Sequence, residues 1–329
     1  MTEAPRTETA GSKVAVRERA IERFASGDNF FRRLTQSAAI VVLLILGGAI
    51  VSLIKGSIPA FQAFGFGFFT TETWSPASEK FGAAAAIFGT LVTSVIAMAI
   101  AAPIGIGIAI FLTELSPPIL RRPIGVAVEL LAGIPSIIYG VWGLFVLAPF
   151  LQEHVQPGLI ALFANVPVMS SLFAGPPYGI GMLTASLILA IMVLPFVASI
   201  SRDVFETVPP MLKESAYAIG CTTSEVVSNI VIPYTRVGVV GAVMLGLGRA
   251  LGETMAVTFV IGSAHKISAS LIAPGTTISA TIANELPEAV GDLYISSLIA
   301  LGLILFMITF IVLAVARLML MRLDGNAGG

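Results

Sequence analysis

Apolar residues along this chain fall in long unbroken blocks, with neither the alternation of a half-buried strand nor the stripe of an amphipathic surface helix. A helix that crosses the hydrocarbon core of a bilayer needs about 20 predominantly apolar residues. Six blocks meet that need. The first lies between Arg33 and Lys55, with 38–54 as its apolar body. The second, 83–112, contains Pro103 and is long enough to be kinked or tilted. The third, 124–151, is interrupted by Pro135 and Pro149, and the fourth, 178–200, carries Pro195 near its end. The last two are 237–261 and 293–318. Prolines are tolerated within spans because neighbouring helices satisfy the carbonyls they free. The expected fold is an all-α membrane protein of six transmembrane helices.

The polar segments between the blocks set the orientation. With the N-terminus in the cytoplasm, the inner segments hold fourteen Lys and Arg, the outer segments three (Lys55, Lys80, Lys266), and Arg249 lies within a span. An excess of this size on one side orients a polytopic chain, so both termini are expected to be cytoplasmic. Residues 1–33 read as a polar, mobile or interfacial tail, 34–82 as the first span with its outer loop, 83–318 as the core, and 319–329 as a second tail. No short apolar stretch near the start has the form of a cleaved signal. The outer loops 56–82, 152–177 and 263–292 are rich in Phe, Pro, Gly or Ser. They are expected to pack as loops with short interfacial helices, or to offer a docking surface outside.

Composition agrees: 56% of residues are hydrophobic and 11% charged, where soluble domains carry about 25% charged residues. The chemistry the chain lacks narrows its function. One cysteine, Cys221, excludes an intrachain disulfide framework, and His154 and His265 are too far apart to suggest a metal site. No Ser/His/Asp set suggests an intramembrane enzyme, nothing points to nucleic acid, and no cofactor or metal is expected. No G-x-x-x-x-G-K-[ST] loop is present, so any ATP must be hydrolysed by a separate chain. Three classes remain: a pore-forming subunit driven by that chain, an ion-coupled secondary transporter, or a signalling scaffold. A secondary transporter would carry its own coupling carboxylates and often internal repeats, and neither is evident.

The most informative stretch is the inner loop 202–236. Pro209 and Pro210 suit the first turn of a helix, where a missing N–H costs nothing, and Gly220 suits the left-handed position that ends one. Thr222 and Glu225 then form a T-x-x-E capping box that opens a second helix, and Pro233 marks the return to the membrane. Glu214-Ser215-Ala216, three residues, Gly220, nine residues and Ile230-Val231-Ile232-Pro233 resemble the EAA loop of binding-protein-dependent ABC importer permeases. In that family the pattern is E-A-A, three residues, G, nine residues, I-x-L-P. Ser215 and Ile232 are mild departures. The resemblance implies that this loop is a coupling helix seated on the ATPase.

Three further runs narrow it: Glu129–Ser136 (ELLAGIPS), Tyr139–Phe145 (YGVWGLF) and Gly248–Phe259 (GRALGETMAVTF). These are similar to the PstC family of phosphate-importer permeases, from about residue 40 to residue 323. The resemblance implies a five-helix core formed by the second to sixth spans, with the first span outside it. It also implies a PstA-like permease as heterodimer partner, PstB-like ATPase subunits, a PstS-like external phosphate-binding protein, and a bacterial inner membrane. Phosphate rests on this resemblance alone, because sulfate or molybdate would suit the same chemistry.

Arg249 falls near the middle of the fifth block, where an arginine is costly unless it faces the bundle interior and finds a partner. Glu253, four residues on, is expected on the same helix face. Two readings stand: Arg249 lines the anion pathway with Glu253 holding it, or the two form a buried pair that fixes helix register. Glu129, about one turn into the third block, is a weaker pathway candidate that can instead pair with Arg121 or Arg122. Gly248 and Gly252 form a G-x-x-x-G that permits close helix approach.

Overall fold

The computed structural model describes the backbone of residues 9–325 and, within it, the side chains of residues 30–318 and Met321. Six helices among the described residues are long and apolar enough to cross a membrane, as expected. In chain order the principal elements are α1 (Thr9–Phe64), α2 (Ala84–Leu115), α3 (Pro118–Ala132), α4 (Ser136–Phe163) and α5 (Met182–Glu206). Then come α6 (Pro210–Ala218), α7 (Thr223–Leu251), α8 (Met255–Ile261), α9 (Ile278–Glu285) and α10 (Asp292–Gly325). Residues 1–8 and 326–329, the outer ends of the two expected tails, lie outside the described residues. By Thr9 the backbone already belongs to α1.

Two boundaries differ from the hydropathy reading in ways that matter. The third block is two helices. Pro135 disfavours the helical region for the residue before it and donates no hydrogen bond, so α3 stops at Ala132 and α4 starts at Ser136. At about 1.5 Å per residue α3 is too short to cross a bilayer. The span is α4, which runs on into the stretch expected as an outer loop. The fifth block also changes. Its span begins at Thr223, inside the inner loop, and stops at Leu251; residues beyond a break at Gly252–Thr254 form the separate α8. Pro233 does not interrupt α7. A wider π turn at Val227–Val231 precedes it and gives the slack its ring requires.

The chain divides into two compact units, Met1–Lys55 and Gly56–Gly329. In the first, the apolar side chains of residues 40–46 are exposed, as suits a helix in lipid. In the second, α5 is the central post. Its side chains Ala185, Ile188, Leu189, Val193 and Val197 are buried with Ala97 and Ala101 of α2 and with Val257 and Val260 of α8. Small residues set the spacing. A Cβ at Gly105 would stand 3.1 Å from Val197, and one at Gly246 would stand 2.9 Å from it, so Val197 is held between α2 and α7. Such close backbone approach is how helices associate in lipid, where no hydrophobic force drives them together.

Residues 56–82 pack with the start of α10. Phe68, Phe81, Leu298 and Leu301 share a buried cluster, and the Ala60 N–H donates to Ser296 Oγ at 3.0 Å. Between α8 and α9 the chain turns back into the bundle. Gly275 N–H donates to the Ile261 carbonyl at 2.9 Å, Leu183 N–H donates to that of Leu271 at 2.8 Å, and residues 275–281 are all buried. Irregular backbone at such depth is tolerated only when enclosed by protein. Here Ile278 N–H donates to Thr90 Oγ1 at 2.9 Å, and Gly89 leaves room for the Thr276 carbonyl, which a Cβ would strike.

Candidate functional site

The inner loop folds as its residues dictate. α6 begins on Pro210 and ends before Gly220, whose φ of +94° is a conformation that side chains resist. No atom lies within 4 Å of where its Cβ would be, so glycine is required by the backbone alone. The capping box forms: Thr222 N–H donates to Glu225 Oε2 at 2.8 Å, and Glu225 N–H donates to Thr222 Oγ1 at 3.4 Å. Glu214, Ser215 and Gly220 are exposed, whereas Ala216 is buried against Ala109, Phe205 and Val226. Ser215 Oγ donates to the Met211 carbonyl at 2.7 Å. Met211 and Ile219 project from the ends of α6, 76% and 83% exposed.

One anchor of this loop has no signal in the sequence. Lys213 Nζ donates to Glu114 Oε1 at 2.5 Å, and the Glu114 side chain is only 6% exposed. The pair ties α6 to the last turn of α2, 99 residues earlier in the chain.

At the far end of α7, Arg249 and Glu253 do not pair, and no ion pair joins them among the described residues. The i,i+4 relation assumes a helix that continues, and this one stops at Leu251. Each charge finds a helix end instead. Arg249 sits in the last turn of α7, where the carbonyl end of the helix dipole favours a cation. Its guanidinium carbon lies 4.8 Å from the centroid of the Phe196 ring, a cation–π geometry. Glu253 Oε1 accepts the Ala256 N–H at 3.2 Å in the first turn of α8. Arg249 Nε is buried with no hydrogen-bond partner among the described residues. Tyr139 lies within electrostatic reach of Arg249, and its hydroxyl donates to the Leu131 carbonyl at 2.9 Å, spanning the α3–α4 break. Phe196 has no signal in the sequence, whereas Tyr139 stands in one of the motif runs.

Glu129 lies on α3, ahead of the third span. Its partner is Arg202 of α5, at 2.7 Å, and neither Arg121 nor Arg122. Gly125 admits that guanidinium, since a Cβ there would stand 2.6 Å from Arg202 Nη1. The G-x-x-x-G at 248–252 makes no tight approach. A Cβ at Gly248 would meet Leu313 at an ordinary 3.7 Å, and one at Gly252 only the carbonyl of Gly248.

The histidines stand apart from both sites. His265 stacks on Trp74 with ring centroids 5.5 Å apart and faces Glu285 Oε1 at 3.6 Å. Burial pushes its pKa below the usual imidazole value, against the opposing pull of Glu285. Among the described residues no cluster of three His, Cys, Asp or Glu could hold a metal ion.

The family described as binding-protein-dependent transport system inner membrane component matches residues 101–324. "Phosphate transport system permease protein PstC" of Mesorhizobium japonicum is 67% identical over 312 residues, covering 95% of this chain and 95% of that protein. The protein of the same name from Pasteurella multocida is 56% identical, covering 91% and 93%. "Probable phosphate transport system permease protein PstC" of Methanocaldococcus jannaschii is 38% identical, covering 86% and 90%. Among solved structures, a chain of a bacterial alginate ABC transporter in complex with its pentasaccharide-bound periplasmic protein superposes with a TM-score of 0.60 at 19% identity. It covers 91% of this chain and 96% of that one, a likeness of fold.

Proposed function

The chain belongs to the family of binding-protein-dependent transport system inner membrane components, and from that premise we propose that it is the permease subunit of an ATP-driven phosphate importer. It is a multi-pass membrane protein, and relatives as similar as 67% carry phosphate transport in their names. The observation that carries the mechanism is α7. A single helix, Thr223–Leu251, begins at the coupling turn and carries Arg249 in its last turn, about 40 Å away at 1.5 Å per residue.

In this reading α6 and its turn seat on a PstB-like ATPase through Glu214, Ser215 and the exposed Met211 and Ile219, with Ala216 and Gly220 shaping the turn. ATP is hydrolysed there, in a separate chain. A PstA-like permease completes the pathway, and a PstS-like protein delivers phosphate from outside. The membrane is the bacterial inner membrane, with both termini cytoplasmic.

Arg249 attracts the anion. A guanidinium presents donors in a fork that matches phosphate oxygens, and the unpartnered Nε together with the Phe196 face leaves it incompletely neutralised. Glu253 acts differently from a counter-ion: it caps α8 and holds the break open where the chain turns from α7. Glu129, paired with Arg202, has a structural part. The relatives favour phosphate over sulfate or molybdate, which share the charge chemistry.

The test is uptake by the assembled complex carrying Arg249→Gln. Phosphate flux is expected to fall at least tenfold while ATPase activity and subunit assembly persist. Normal flux in that protein would remove Arg249 from the pathway. Uptake of sulfate in preference to phosphate by the unaltered complex, or uptake that persists without the ATPase, would overturn the importer assignment itself.

A further inference from the structure

Where α3 lies against the last turns of α5 there is a cleft of ≈ 340 Å³. Its lining carries both signs of charge. Arg121, Arg122 and Glu129 of α3 and Arg202 and Glu206 of α5 line it. Arg202 is already matched, to Glu129 at 2.7 Å and to Asp203 at 3.1 Å, with Glu206 at 3.8 Å from its Nε. The two carboxylates lining the cleft keep an open face, with side chains 50% and 58% exposed. Arg121 Nη2 donates to the Thr113 carbonyl at 2.8 Å, and Arg122 has no polar partner among the described residues.

We propose that this cleft holds the headgroup of a zwitterionic membrane phospholipid. The phosphodiester sits on Arg121 and Arg122, and the primary ammonium on the free faces of Glu129 and Glu206. Three observations point to this ligand. Arg202 and Glu206 end a membrane-spanning helix, which places the cleft at the bilayer boundary, at the depth of lipid headgroups. α3 is too short to span and exposes Ile119, Leu120 and Leu130, apolar contacts for acyl chains on a helix that lies along the interface. The mixed charge discriminates among ligands. A free anion would meet two carboxylates within a cleft whose third guanidinium is already neutralised, whereas a headgroup bearing phosphate and ammonium is matched at both ends. Bound there, the lipid would brace α3 against the end of α5 that leads directly into α6. The inference stands on the membrane spans and not on what the protein transports.

The test is native mass spectrometry of the intact detergent-solubilised complex, titrated with phosphatidylethanolamine, phosphatidylcholine, phosphatidylglycerol or inorganic phosphate. Phosphatidylethanolamine is expected to be retained at least fivefold more than phosphatidylcholine, whose ammonium has no N–H, or than the anionic phosphatidylglycerol. Arg122→Gln, which breaks no polar contact among the described residues, is expected to abolish that preference without changing the melting temperature. Glu206→Gln should narrow the gap between ethanolamine and choline headgroups. Equal retention of phosphatidylethanolamine by wild type and Arg122→Gln would overturn the site. Displacement of the lipid by millimolar phosphate, or phosphatidylglycerol bound as tightly, would overturn the zwitterionic ligand.

Discussion

At the scale of single residues, the charges of this chain divide by what surrounds them. Glu114 is nearly enclosed, so its bond to Lys213 counts for far more than the pair between Arg202 and the half-exposed Glu129. Breaking a buried pair leaves an uncompensated charge and costs about 3 kcal/mol or more, whereas exposed pairs contribute about 0–1 kcal/mol. Lys213→Met is therefore expected to lower the melting temperature of the solubilised complex and loosen α6, while Glu129→Gln leaves it nearly unchanged. A double variant, Lys213→Met with Glu114→Leu, should recover most of the loss; no recovery would show that Lys213 acts through some other contact. None of this was legible beforehand. Lys213 and Glu114 are distant in sequence, and a tertiary ion pair leaves no spacing to read. Arg249 and Glu253 mislead for the opposite reason. Their spacing fits a helical pair, but Gly252 lies between them and the helix ends at Leu251. Apolar residues continue to Ile261, so hydropathy passes over the break.

At the scale of elements, local chemistry was readable wherever it is local. The double proline, the glycine and the capping box of the inner loop each specify a backbone state within a few residues, and each is found in place. What escaped was continuity. The turn that opens at Thr223 and the span that follows are one helix, because the π turn at Val227–Val231 absorbs Pro233. This continuity makes Gly220 a joint between a short helix and a long one. Gly220→Ala has space for its methyl group but must hold a left-handed backbone, at a cost of roughly 1–2 kcal/mol. Thr222→Ala removes a cap worth about 1 kcal/mol. Both proteins should insert and assemble, and in both the phosphate moved per ATP hydrolysed should fall, further in Gly220→Ala. An unchanged ratio in both would mean that the rigidity of this turn has no part in coupling.

At the scale of the whole molecule, the proposed function requires one end of α7 to face the ATPase and the other to face the pathway. The count of Lys and Arg, fourteen against three, predicts a cytoplasmic coupling turn, and the alternation of six spans then predicts that the α4–α5 connection lies outside. The two assignments stand or fall together, since one membrane-spanning helix, α5, separates these segments. Cys221 is the single native thiol, so a Cys221→Ser background permits a direct reading. Ser224→Cys beside the coupling turn should react with a membrane-impermeant maleimide only in inverted vesicles. Ser171→Cys, between α4 and α5, should react only in intact cells or right-side-out vesicles. Labelling of both positions from one side would mean that α5 does not cross, and the reversed pattern would place the coupling turn where no ATP is available. The expected pattern leaves α7 spanning from the side of ATP hydrolysis to an arginine that a phosphate arriving from outside can reach, which is the geometry an importer requires.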